Sequence, residues 1–238
     1  MAESRAEPTG TGAALLHRME DNMSFSVMLQ QMGAGMLKSM NIFFLTLLLS
    51  LPLGLVVSFG RMAKNRVIRT LVKFYISVMR GTPLMLQLLV WYFGPYYLFS
   101  MNIGGNYRFI AIIIGFSVNY AAYFAEIYRS GIESMPAGQY EAAKLLGYGK
   151  AATFFRIILP QVIKRILPAV TNEVITLVKD TSLSFALAYA EMFTIAKQIA
   201  ASQTSFVPFF VAAVFYYVFN FIVAIVMEMV EKKLSYYR

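Results

Sequence analysis

Five stretches of this chain are apolar over a length that can cross a lipid bilayer, and nothing else in the sequence constrains its fold as strongly. A helix needs about 20 predominantly apolar residues to traverse the hydrocarbon core, where each backbone polar group must be satisfied internally. The stretches cover roughly residues 36–59, 70–99, 107–127, 166–189 and 206–230. Pro52 and Gly54 lie inside the first, where neighbouring helices can satisfy freed backbone groups. Glu173, Lys179 and Asp180 interrupt the fourth. Only 14% of the 238 residues are charged, against 58% hydrophobic, which is too few to clothe a soluble domain. The expectation is an all-α polytopic membrane protein. Residues 33–238 form a transmembrane domain of five helices, behind a polar N-terminal tail over residues 1–32.

The same composition removes several kinds of chemistry. No cysteine is present, so neither a disulfide framework, a thiolate metal site nor a cysteine nucleophile can exist. The one histidine, His17, lies in the tail, which leaves no His-based catalytic or metal centre. No phosphate-cradling G-x-x-x-x-G-K-[ST] loop occurs, so ATP is not bound here. The tail carries Pro8, Gly10 and Gly12 and has no apolar core of the kind found in a cleaved secretory signal, so it reads as mobile.

A formal charge of +9 suggests nucleic acid at first, but the basic residues fall in short loops between apolar runs. That is the pattern of cytoplasmic loops in membrane proteins. Arg61, Lys64, Arg66 and Arg69 follow the first stretch, and Arg129, Lys144, Lys150, Arg156, Lys164 and Arg165 separate the third from the fourth. Lys232, Lys233 and Arg238 follow the fifth, while the intervening loops hold Arg108 and Lys197. By parity the three basic regions share one side, which gives an N-out, C-in topology. Lipid is the expected surrounding, and no nucleic-acid partner is expected.

The loop between the third and fourth stretches, residues 135–160, is polar and on the cytoplasmic side. Met135-Pro-Ala-Gly138 reads as a turn, and Gln139 to Leu146 holds helix formers. Gly147 is placed to end that helix with a left-handed residue. A second short helix is predicted over residues 150–158, closed by Pro160. Two short helices meeting at a glycine make a projection that can enter a cleft on another protein. Leu145 and Leu146 then give apolar contact, and Glu141 meets a basic group. The alternative is an interfacial helix packed under the bundle.

The spacing favours docking. Glu141-Ala142-Ala143, three residues, Gly147, nine residues, then Ile157-Ile-Leu159-Pro160 resembles the EAA loop of ABC-importer permeases. The chain is similar, from about Gly33 onward, to permease subunits of polar amino acid ABC importers of the histidine/glutamine/arginine type. Val78-Met-Arg-Gly-Thr-Pro-Leu-Met-Leu-Gln87, the run from Asn119 to Ile132, and Glu173 to Leu183 with Glu191 beyond also carry the likeness. The resemblance implies a type I importer core with five spans and cytoplasmic coupling helices, in the cytoplasmic membrane of a bacterium. It further implies a second permease copy or paralogue, a cytoplasmic ABC ATPase dimer that holds the ATP and Mg, an extracytoplasmic solute-binding protein, and a polar amino acid as cargo.

Charges inside a bilayer cost about 2.5–3.5 kcal/mol on insertion scales and need an explanation. Asn119, Tyr123 and Glu126 fall on one face of the third helix at i, i+4 and i+7. They can line a translocation path, or Asn119 and Tyr123 can bond between helices while Glu126 sits at the boundary. Arg80 opens the breaker run Gly81-Thr82-Pro83, where the helix can be interrupted. Its guanidinium can snorkel to headgroups, pair with an acid or hold a substrate carboxylate. Gln87 faces either the path or another helix. Glu173, Thr176 and Asp180 share a face beside Lys179, as a self-neutralising set or as parts of a gate. Thr181 and Ser182 can reach back to carbonyls and bend the helix.

Closure of an ATPase pair would move the helix from Glu141 to Leu146, rock the bundle and expose a central site to alternate sides. Two other classes compete. A stand-alone channel or secondary transporter requires inverted repeats or paired broken helices, and the sequence has no convincing repeat. An intramembrane enzyme lacks a catalytic constellation.

Overall fold

The apolar stretches fold as helices: the computed structural model describes residues 24–101 and 103–234, and no strand occurs among them. Nine α-helices are present among the described residues: α1 Phe25–Arg61, α2 Arg66–Gly81, α3 Leu84–Phe99, α4 Tyr107–Glu133, α5 Ala137–Leu145, α6 Lys150–Thr153, α7 Leu159–Asp180, α8 Met192–Gln203 and α9 Val207–Leu234. A π-helical turn, Phe154–Ile158, joins α6 to α7, and a 3₁₀ turn, Thr181–Leu187, prolongs α7. Three helices, α1, α4 and α9, are long and apolar enough to cross a membrane alone, and α3 is a shorter apolar helix. α1 begins at Phe25, inside the stretch assigned to the tail; Met1–Asn22, His17 included, lie outside the described residues.

Each departure from the expected spans has a local cause. The stretch over residues 70–99 is two helices, because Pro83 lacks an N–H and the preceding Thr82 is extended, at φ −120° and ψ 148°. Asn65 starts α2 a turn earlier than the apolar run, its side chain accepting from the Val67 N–H at 2.8 Å. The second short helix of the loop does not close at Pro160. α6 widens into the π turn and runs into α7, whose first turn contains Pro160. A proline in the first turn costs no hydrogen bond, so it starts α7 rather than ending α6.

α1 lies against α4 through small residues, which lets two membrane helices approach closely. A Cβ built on Gly54 would stand 2.8 Å from the Phe124 Cβ and 3.1 Å from the Ala121 carbonyl oxygen. Ala121, Ala122 and Ala125 are wholly buried, and Met32, Met36, Ile42, Phe116, Leu177 and Met192 complete the core around them.

α8 is absent from the five-span expectation. Its N-cap is Glu191, fully buried at 0% exposure. The carboxylate accepts from the Phe193 and Thr194 N–H groups at 2.8 Å each and from the hydroxyls of Thr194, Ser39 and Tyr216 at 2.9, 3.2 and 3.0 Å. Burial pushes this carboxyl above its ordinary value, and the donors pull it back. One side chain thereby ties α1, α8 and α9 together.

Candidate functional site

The break between α2 and α3 frees backbone acceptors inside the bundle, and two amides take them up. Gln87 Nε2 donates to the carbonyl oxygens of Met79 and Thr82 at 2.9 and 3.1 Å and to Thr82 Oγ1 at 2.8 Å. Asn119 Nδ2 donates to the Met79 carbonyl and to Gln87 Oε1, both at 2.9 Å. Thr82 Oγ1 in turn donates to the Val78 carbonyl at 2.8 Å. Gln87 and Asn119 are both buried. They are joined to each other and to the break, so the bonds they make run between helices.

The clasp fixes the last turn of α2, and with it Arg80. Its guanidinium lies 5.2 Å from the centre of the Tyr123 ring on α4, a cation–π distance. Both residues line a cleft of about 470 Å³ between α2, α4 and α7, with Glu126, Arg129, Arg165 and Glu173. Glu126 is bound by Arg129 at 2.6 Å and faces Arg61 of α1 at 3.6 Å, and Arg129 also holds Glu133 at 2.5 Å. Three arginines and two carboxylates thus surround one cavity, an arrangement able to receive a zwitterion's carboxylate and ammonium. Among the sequence-derived candidates, Arg80, Tyr123, Glu126 and Glu173 meet in this cleft.

The α7 candidates divide differently. Asp180 accepts from Tyr120 Oη at 2.7 Å, and among the described residues no ion pair joins Lys179 to Asp180 or Glu173. Lys179 is exposed. Thr181, fully buried, donates to the Val178 carbonyl and Ser182 to that of Lys179, at 2.8 and 2.7 Å, where the α-helix tightens to 3₁₀. The sequence reading did not single out Arg129, Arg165 or Tyr120 as site residues. Arg129 had a legible signal in its i+3 spacing from Glu126; the other two depend on which helices meet.

The loop after α4 forms an elbow. α5 ends at Leu145, Gly147 adopts φ +79°, and the Tyr148 and Gly147 N–H groups donate to the Ala143 and Lys144 carbonyls at 3.0 and 3.1 Å. This is a left-handed cap that only glycine adopts without strain. Ala143 is buried, whereas Leu145 and Leu146 are 89% and 75% exposed. Glu141, Ala142 and Lys144 are exposed as well. A reciprocal amide pair, Gln139 with Gln161 at 2.8 Å in both directions, anchors the elbow to α7.

The helices among the described residues, three of them long and apolar enough to cross a membrane, fit a multi-pass membrane protein. The chain matches the family of binding-protein-dependent transport system inner membrane components over residues 50–236, and it belongs to that family. It is 34% identical over 218 residues to the arginine transport system permease protein ArtQ of Bacillus subtilis, covering 90% of this chain and 98% of that one. It is 33% identical over 209 residues to the L-cystine transport system permease protein TcyB of the same organism, covering 87% of each. A solved amino acid ABC transporter with histidines superposes at a TM-score of 0.79 and 31% identity, covering 89% of this chain and 99% of that one. The MetNI methionine ABC transporter shares the fold at a TM-score of 0.70 and 18% identity, covering 90% and 100%.

Proposed function

We propose that this chain is the membrane permease of an ATP-driven importer that carries a polar amino acid inward across a bacterial cytoplasmic membrane. The observation that carries this reading is the elbow: a helix capped by Gly147 that holds Leu145 and Leu146 out into solvent at 89% and 75% exposure. Such surface is costly unless covered, at about 1.5–3 kcal/mol for a leucine side chain. A cytoplasmic ATPase dimer is the partner that covers it. The span count is five, with α2 and α3 serving as one interrupted crossing and α7 with its 3₁₀ turn as another. The termini are N-out and C-in, as the loop charges require. The permease domain begins with α1 at Phe25 rather than at residue 33, residues 135–160 are the coupling loop, and the functional unit contains a second permease copy or paralogue and an extracytoplasmic solute-binding protein.

In this mechanism ATP and Mg act in the ATPase, and this chain contributes no catalytic group. Closure of the ATPase pair carries Glu141, Ala142, Leu145 and Leu146 with it. Gln139 and Gln161 pass the displacement to α7, which bears one wall of the cleft. Arg80 and Tyr123 form the opposite wall, so relative motion of α7 opens or closes the cavity. Lys179, Asp180, Thr181 and Ser182 lie where α7 changes helical type, which suits a bend in the gate. The relatives named for arginine and L-cystine and the cleft lined by both arginines and carboxylates support an amino acid cargo. A cysteine placed at Leu145 in this otherwise cysteine-free chain tests the elbow. It should crosslink to the ATPase in assembled vesicles and react with impermeant thiol reagents only from the ATPase side. Labelling from the opposite side would overturn the topology.

A further inference from the structure

α2 sorts its side chains into three sectors. Val72, Tyr75, Ile76 and Met79 pack with Val57 of α1 and with Ala122 and Ala125 of α4. Val67, Leu71 and Phe74 stand exposed at 65%, 63% and 69%, an apolar stripe suited to lipid. The third sector is polar throughout. Arg66, Thr70, Lys73, Ser77 and Arg80 fall at i, i+4, i+7, i+11 and i+14, which is a single stripe of a helix, and all five are exposed. Arg80, at the inner end, lines the cleft between α2, α4 and α7. α2 contains no acidic residue. Among the described residues, no ion pair or hydrogen bond engages the side chains of Arg66, Thr70, Lys73 or Ser77.

The stripe runs about 21 Å along the helix axis, against a hydrocarbon core of about 30 Å. Lys73 stands about 10 Å inward of Arg66, where α2 begins. A charge at such depth needs water or a partner, and it has no partner among the described residues. Long cationic stems can snorkel to headgroups, but the hydroxyls of Thr70 and Ser77 are too short to do so. Charges that merely set topology need no uncharged polar residues between them on one face. Arg69, about 60° off the stripe, is a charge of that plain kind. We infer that the stripe lines a water-filled passage from the cleft to the ATPase side, in which Lys73 draws the cargo's carboxylate onward from Arg80. Arg80, Lys73 and Arg66 recur every two turns, so a carboxylate in the passage always has a cation within about 10 Å. Lys73 thereby favours solutes with a free carboxylate. The identity of the cargo and its direction rest on the importer reading; the passage itself does not.

The chain has no cysteine, so single cysteines placed in it report on chosen positions, read as the mass that this chain gains. The nucleotide-free permease complex in vesicles is exposed, from the ATPase side, to anionic sulfonatoethyl methanethiosulfonate. Thr70→Cys and Ser77→Cys should react at least about tenfold faster than Leu71→Cys and Phe74→Cys, whose thiols face an apolar surrounding that disfavours the thiolate. At Ser77→Cys the anionic reagent should outpace the cationic trimethylammonioethyl reagent about tenfold, the low end of electrostatic steering. Lys73→Gln should cut that ratio about fourfold, the effect of one unit charge about 6 Å away on reagents that differ by two charges. Arg69→Gln should leave the ratio within about twofold. Reaction at positions 70 and 77 no faster than at 71 and 74 would overturn the passage, whether lipid or a second copy covers the stripe. Equal rates for the two reagents, or an equal fall in Arg69→Gln and Lys73→Gln, would overturn the role of Lys73. Should Ser77→Cys fail to assemble, Thr70→Cys, three residues from Lys73, carries the same measurements. None of these readouts needs cargo or ATP. The passage can therefore fail while the importer reading stands, and uptake without an ATPase would sink that reading while the labelling holds.

Discussion

Gly147 offers the cleanest separation of backbone conformation from side-chain contact in the elbow. It has φ +79°, and a Cβ built there meets nothing within 4 Å, so a substitution acts through the backbone alone. Holding an ordinary L-residue in the left-handed region costs about 1–2 kcal/mol, with Asn the mildest. That shifts the equilibrium between capped and frayed forms about 5–30-fold. α5 has nine residues, too few to hold a helix in isolation. Its order therefore depends on this cap, on buried Ala143 and on the pair Gln139–Gln161. Coupling should fall in the order wild type, Gly147→Asn, Gly147→Ala, Gly147→Val, because a β-branched residue tolerates positive φ least. Two readouts are needed: solute carried per ATP in vesicles, and hydrogen exchange at the Tyr148 amide, whose N–H donates to the Ala143 carbonyl. Exchange should quicken in the same order while membrane insertion stays unchanged. A Val variant with normal exchange and normal coupling would refute the reasoning.

Further perturbations follow from the packing. Gln87→Leu removes an acceptor of the Asn119 amide and Asn119→Leu removes the donor to Gln87 Oε1, each leaving a buried polar group short at about 1–3 kcal/mol; the double variant should be markedly non-additive in detergent melting, and strict additivity would show that the amides act separately. Gly131→Ala puts a Cβ 2.2 Å from Ile166 Cγ2 and should destabilise the α4–α7 contact, with Ile166→Ala recovering most of the loss; no change in melting temperature would contradict the contact. Glu191→Gln sets an amide N–H₂ among five donors and should lower stability by about 1–3 kcal/mol, visible as weaker protection of α8 in hydrogen exchange.

The sequence exposed the broad architecture because lipid imposes a simple rule of length and apolarity. The interruption at Arg80-Gly-Thr-Pro83 was legible for a similar reason, since proline cannot supply an N–H. Gly147 was legible because a helix end often calls for positive φ. What lay hidden depended on tertiary partners. The acid of the α7 face bonds to Tyr120 on another helix rather than to adjacent Lys179, and no periodicity reveals which helices meet. α8 escaped notice because it is short and because its N-cap, Glu191, is not among the residue types that ordinarily mark a helix start. The π turn before Pro160 had no signal, because a proline reads equally as a helix end and as a helix start.

ATP hydrolysis in a separate chain should drive a polar amino acid through this one. Reconstituting the permease in lipid vesicles with its ATPase and solute-binding protein, and screening labelled amino acids, tests that claim directly. One polar amino acid should stimulate both ATP hydrolysis and uptake, and both should be lost when the ATPase is left out. A permease that neither binds an ATPase nor responds to ATP, yet still moves solute, would contradict it and establish a stand-alone transporter.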